Sequence, residues 1–276
     1  MKPRKKKNNS SILLVVLILI CVAVIGFSAY KLISIQWNYS SAQDEYDDIR
    51  RHTEPKKKQK DEPAAEPDVP AEPDQEESED DKTAIPEMVV PISVDHNALE
   101  AMNPDYVGWL YIEALDISYP IMQGPDENYY LHRTFEGNDR YAGSLFINSG
   151  IPGDFSIPHT IIYGHNMKDM SMFGTLKLFS DKAMYNESDL FWVLTKEKDY
   201  CYRIFSIHTC FDESDTYMLF SGPSQSVSDF IRNMLNQSEI RMPETEYDDN
   251  SKVVTLSTCL YETGPERYVV QGIRLN

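Results

Sequence analysis

The chain has 276 residues, 41% of them hydrophobic, with 26 basic against 44 acidic side chains. So acidic a balance argues against a surface for phosphate backbones, and no nucleic-acid partner is expected. No CxxC or HExxH spacing occurs among the four cysteines and six histidines, so neither a protein-held metal nor another cofactor is expected.

Five basic side chains lie between Lys2 and Lys7, and Ile12 to Tyr30 then runs nineteen residues without a charge. That is about the ~20 residues needed to cross a ~30 Å hydrocarbon layer as a helix, and no A-x-A-like cleavage site follows it. Residues 1–10 therefore read as a basic cytoplasmic tail and 11–33 as a single uncleaved transmembrane anchor, with the remainder extracellular by the positive-inside bias. Trp37 and Tyr39 are expected at the outer interface. Residues 34–87 read as a charged linker. Asp61 to Asp81 alone carries eleven acidic residues and four prolines, with almost no large apolar side chain to offset chain entropy.

From residue 88 to 276 the chain changes to alternating apolar runs, with 13 basic against 27 acidic side chains, and is long enough for one domain with its own core. Removing residues 1–87 is expected to leave that domain soluble and active. A helix is predicted over "VDHNALEAMN" (94–103). Eight short β-branched or aromatic runs bounded by Gly, Pro, Asn or Asp read as strands: "YVGWLYIEAL", "ISYPIMQ", "AGSLFINS", "HTIIYGHN", "DLFWVLTKE", "DYCYRIFSIHTCF", "KVVTLSTC" and "RYVVQGIRL". The fold class is thus mainly β, a closed or nearly closed eight-stranded barrel. Helical patterns interrupt it at "SMFGTLKLF" (171–179) and "SVSDFIRNMLNQ" (226–237), where Val227, Phe230, Ile231 and Leu235 share a face. The second lies in a long connection ahead of the seventh strand, the kind of loop that shapes a groove.

The last hairpin, "VVTLSTCLYETGPERYVVQG" (253–272), carries the chemistry. Cys259 ends one strand and Arg267 begins the next, so antiparallel pairing brings thiol and guanidinium together. A fixed cation lowers a thiol pKa and can donate to a developing oxyanion. A cysteine beside an arginine is more often structural, and a third component is needed. Of the histidines in the domain, His159 opens a strand and His208 lies inside one, places where a hydrogen-bonded structural role is usual. His165 follows "TIIYG" at a strand end, where Gly164 permits a sharp turn and an imidazole can protonate a leaving amine. Cys259, His165 and Arg267 at three strand ends make an acyl-transfer site. Cys201 and Cys210, if on one strand, point to opposite faces and lie too far apart to bond, which leaves two structural thiols.

"TLSTC" (255–259), "YGHNM" (163–167) and the arginine of "RYVV" (267–270) resemble the three active-site segments of sortases, the membrane-anchored cysteine transpeptidases of Gram-positive bacteria. "NPDYVGWLYI", "ISYPIMQG", "YYL", "GSLFIN" and "MFGTL" add to the resemblance across roughly residues 94–275. The helix before the first strand, "TLSTC" and the helical connection are most similar to class B; "LYETGPE" after Cys259 is shorter than in some members. The resemblance implies an eight-stranded sortase barrel with an added N-terminal helix. Cys259 would attack a C-terminal sorting signal of NPxTx type, His165 would protonate the departing amine, and Arg267 would steady the oxyanion. The partners implied are surface proteins bearing that signal and an acceptor amine of peptidoglycan precursor or cross-bridge, or a pilin lysine. For substrate binding, Ser257 either touches the substrate backbone or faces solvent, and Tyr217 either resembles a class B groove residue or is ordinary loop packing. A hydrolytic thiol protease and a non-catalytic surface-binding domain are the alternative functions.

Overall fold

In a computed structural model, residues 9–56, 89–220, 226–240, 246–260 and 264–276 are described. Helix α1 (Asn9–Arg50) opens with the apolar run, and the side chains of Leu13 to Ile35 stand largely exposed, a candidate membrane span by length and composition. Its last turns do something else. Ala42, Tyr46 and Ile49 recur at helical spacing and are buried against the domain. The buried Glu45 carboxylate accepts hydrogen bonds from Thr134 Oγ1 (2.8 Å), Glu136 N (2.9 Å) and Asn138 Nδ2 (3.1 Å). Tyr46 donates to the Gly143 carbonyl at 2.6 Å.

Strand β1 (Thr53–Pro55) then pairs antiparallel with β2 (Ile92–Val94). Residues 34–55, read from composition as linker, are therefore helix and strand, because every third or fourth residue after Tyr39 is apolar and finds a surface to cover. Residues 57–87, the rest of that linker, lie outside the described residues, as does residue 88.

Helix α2 (His96–Met102) is capped by Asp95, whose Oδ1 accepts from Ala98 N at 3.0 Å. Strands β3 (Tyr106–Ile112) and β4 (Ile117–Met122) form a hairpin, followed by β5 (Leu145–Ile147) and β6 (His159–Tyr163). After the short helix α3 (Lys182–Glu187), which the sequence pattern did not announce, come β7 (Leu190–Leu194) and the long β8 (Asp199–Phe211). Helix α4 (Val227–Gln237) precedes β9 (Val253–Cys259) and β10 (Glu266–Arg274). All eight predicted barrel strands are present. They close in the order β10-β8-β7-β3-β4-β5-β6-β9, and only β4–β5 and β6–β9 run parallel. Trp109, Leu110, Phe191 and Leu256 belong to the main core with essentially no exposure, while Phe205 joins Phe230 and Ile231 of α4 in a second cluster.

Two helical expectations change. Over 171–179 only a 3₁₀ turn forms, Leu176–Ser180, because Met170 and Met172 hold positive φ (68° and 51°) and Met172 bridges back to Asn166. On α4 the buried stripe is Val227, Phe230, Ile231 and Met234, with Leu235 at its edge. Cys201 and Cys210 are free thiols on the one strand β8, and burial pushes the Cys201 pKa up to about 12.

Candidate active site

Register on β9 and β10 fixes the first pair. Cys259 and Arg267 are direct antiparallel partners, so their side chains leave the sheet on the same face. Arg267 also pairs with Cys210 of β8 on its other side. The guanidinium is held at three points: Nη1 donates to the carbonyls of Gly264 (2.8 Å) and Glu266 (3.1 Å), and Nη2 meets Asp212 Oδ2 at 2.9 Å. Asp212 follows the last residue of β8, and its role was not legible from sequence; it emerges only once β8 is known to flank β10.

His165 lies two residues beyond β6, which runs parallel beside β9 with Tyr163 opposite Ser257. Its Nε2 donates to the Leu131 carbonyl at 2.7 Å, which leaves Nδ1 as the nitrogen that can gain or lose a proton. His132 and Tyr141 lie against the ring with centroids 5.5 and 5.4 Å away. Burial lowers the His165 pKa below its ordinary value, His132 adds to this, and the Leu131 carbonyl pulls the other way. Gly164 serves a purpose different from the one expected. It needs no positive φ; instead a Cβ there would collide with Leu145 and Phe173, so glycine is required for close approach. Asn166 Nδ2 donates to the Cys259 carbonyl at 3.0 Å and ties the two strand ends together.

Cys259, His165, Arg267, Ser257 and Tyr217 all line one cavity of about 280 Å³, whose walls also include Leu131, Phe146, Tyr163 and Asp212. Ser257, two residues before Cys259, points the same way, is 2% exposed, and shares a 2.7 Å hydrogen bond with the Tyr217 hydroxyl. Tyr217 stacks on Tyr163 with centroids 6.4 Å apart. Ser257 thus faces this cavity rather than bulk solvent. His159 and His208 are buried and hydrogen-bonded, as their strand positions suggested, and His96 bonds Tyr106 away from the cavity. A half-buried thiol, a cation paired with it in register and a half-buried imidazole on the adjacent strand end can perform nucleophilic acyl transfer. Sequence reasoning missed Asp212, Asn166, His132 and Tyr141, which meet Arg267, Cys259 and His165 through contacts between segments distant in the chain.

Comparison with known proteins gives a concordant result. Residues 110–274 match the profile of the sortase domain. Sortase B of Listeria monocytogenes is 33% identical over 178 residues, covering 63% of this chain and 71% of that protein. The structure of Clostridium perfringens sortase B superposes with a TM-score of 0.60 at 26% identity, covering 65% of this chain and 99% of that one. A Staphylococcus aureus sortase B–substrate complex gives 0.61 at 25% identity over 66% of this chain and 84% of that one.

Proposed function

The chain belongs to the sortase family, as a cysteine transpeptidase of class B, and on that premise we propose that it joins proteins bearing an NPxTx-like sorting signal to an amine of peptidoglycan. The observation that carries the assignment of roles is the register pairing of Cys259 with Arg267 at a cavity that His165 also lines. In this reading the Cys259 thiolate attacks the scissile carbonyl carbon of the signal, and the electron pair of the C=O bond moves to oxygen. Arg267 faces that oxyanion, its fork held by Asp212 and two backbone carbonyls so that no reorganisation is needed as charge develops. His165 delivers its Nδ1 proton to the departing amine as the C–N bond breaks, which leaves a thioester on Cys259. An acceptor amine then attacks the thioester, passes a proton to His165 and forms the new amide as the thiolate departs. Ser257 and Tyr217, bonded to each other, form the wall along which the signal peptide lies.

The candidate span in α1 supports a membrane-anchored enzyme with residues 1–10 cytoplasmic and the barrel outside. Mass spectrometry of the full chain in detergent, incubated with an NPxTx peptide and a separate amine, tests the proposal beside Cys259→Ala. An acyl adduct on Cys259 together with amine-ligated product is expected. Hydrolysed peptide as the sole product would make the protein a thiol protease, and a Cys259→Ala variant that still cleaves would remove Cys259 as nucleophile.

A further inference from the structure

The wall opposite His165 comes from the long connection between β8 and β9, and three consecutive residues of that connection are each bonded to the barrel. Thr216 Oγ1 lies 3.1 Å from His208 Nε2, the Tyr217 hydroxyl 2.7 Å from Ser257 Oγ, and the Met218 carbonyl 2.8 Å from His159 Nδ1. The protons in this network follow from its acceptors. A carbonyl only accepts, so His159 carries hydrogen on Nδ1 and its Nε2 lone pair takes the Thr255 hydroxyl proton at 2.7 Å, while Thr255 accepts from Gln271 at 2.9 Å. Ser206 Oγ spends its one proton on the Met234 carbonyl (2.8 Å), so it accepts from His208 Nδ1–H at 3.0 Å, and His208 Nε2 accepts from Thr216. Burial keeps both rings neutral, so with hydrogen on Nδ1 each donates once and accepts once.

Both are essentially without solvent exposure. The same two networks hold α4: Phe230 packs on the His159 ring at 4.9 Å and Met234 supplies the carbonyl that orients Ser206. Without these contacts, the backbone bonds left to Tyr217 and Met218 among the described residues are those of a single 3₁₀ turn, Tyr217 N to Ser214 O and Met218 N to Asp215 O, beside the stacking of Tyr217 on Tyr163.

We propose that His159 and His208 are positioning residues for the transpeptidation, a pair of neutral hydrogen-bonding clamps that fix residues 216–218 so that Tyr217 presents a preformed wall to the sorting-signal peptide. The proposal rests on the sortase reading for the identity of the peptide and on the observed network for the clamp itself. It predicts that loosening either clamp costs substrate binding rather than chemistry, because Cys259, His165 and Arg267 are held by other contacts.

Thr216→Val tests this with the least disturbance, since it removes the hydroxyl that bonds His208 and keeps the shape; His159→Asn and His208→Asn are its companions. In the full chain in detergent, KM for an NPxTx peptide is expected to rise about five- to tenfold, with the single-turnover acylation rate at saturating peptide within about twofold of the parent. Hydrogen exchange is the second readout: the amides of 217 and 218 should exchange about tenfold faster or more, while those of β9 and β10 are unchanged. A folded Thr216→Val protein with parental KM and parental exchange at 217–218 overturns the clamp. Equal loss of KM and acylation with faster exchange throughout the barrel also overturns it, leaving a purely structural pair. If the parent chain cleaves no peptide, the sortase reading fails on its own, and the exchange readout still decides the clamp.

Discussion

At the scale of the residue, Arg267 shows how a side chain can be fixed by what surrounds it. Three acceptors in different directions take three of its five N–H groups and leave one on Nη2 and that on Nε to donate, a geometry a guanidinium satisfies and an ammonium does not. Arg267→Lys is expected to lower kcat/KM about 100-fold or more in a peptide-cleavage assay, and near-parental turnover would deny Arg267 a geometric role. Asp212→Asn keeps an acceptor in place and removes one charge from a partly exposed pair, so a loss of only about three- to tenfold is expected. His165 invites a different measurement. Burial is the main reason its pKa lies below the ordinary value, and Tyr141 supplies part of that cover. Tyr141→Ala should therefore raise the His165 pKa toward 6.5, followed by imidazole chemical shifts across pH; an unchanged titration would show that the ring contributes no shielding.

At the scale of the element, legibility depended on whether the signal was local. The β9–β10 hairpin was readable because seven residues between Cys259 and Arg267 leave room only for a turn, and alternation then puts both on one face. The use of Gly164 was misread because its constraint comes from Leu145 and Phe173, side chains that no local window joins to it. The 3₁₀ turn at 176–180 lost its helix to backbone reversals at Met170 and Met172, residues with no sequence signal for positive φ. The connection before β9 was read correctly as an insertion with one helix, yet its attachment through His159 and His208 needed the closed barrel. That attachment has a pH signature. Burial lowers both imidazoles to about 4, against which only the Met218 carbonyl at His159 and the Glu239 carboxylate near His208 act. Between pH 6.5 and 4 the unfolded chain takes up protons that the folded chain refuses, so this stability is complete above 6.5 and drains away as pH falls. About 3 kcal/mol per ring is at stake by pH 4. Urea midpoints of the full chain in detergent should fall between pH 7 and 4.5, with a shallower fall in His208→Asn; parallel pH profiles would refute the linkage.

At the scale of the whole molecule, composition divided the chain at residue 87 and packing divides it elsewhere. The charged run after the apolar segment looks like solvated linker because Asp44, Glu45, Asp47 and Asp48 dominate its average, whereas Ala42, Tyr46 and Ile49 dominate its inner face. The helix that is a candidate to cross the membrane also closes the barrel's flank. Asn38 Oδ1 accepts from Tyr141 N at 2.9 Å, and Glu45 and Tyr46 hold residues 134–144 on either side of the same loop. That loop presents Tyr141 to His165, and His132 just before it stacks on the same ring, so the end of α1 reaches the proposed general acid through one layer of side chains. A chain starting at residue 88 would expose that seam and strand Thr134 and the Glu136 amide, whereas one starting at residue 36 keeps it covered. Burial of Tyr46 and Ile49 alone is worth about 5 kcal/mol, or a melting midpoint lower by about 10–20 °C in a domain of this size. Thermal unfolding of the two truncations should show that gap, and the shorter protein should also acylate more slowly at temperatures where it remains folded, because His165 loses the support behind Tyr141. Coincident melting curves and equal acylation rates would restore the boundary at residue 87 and make the end of α1 a tether alone.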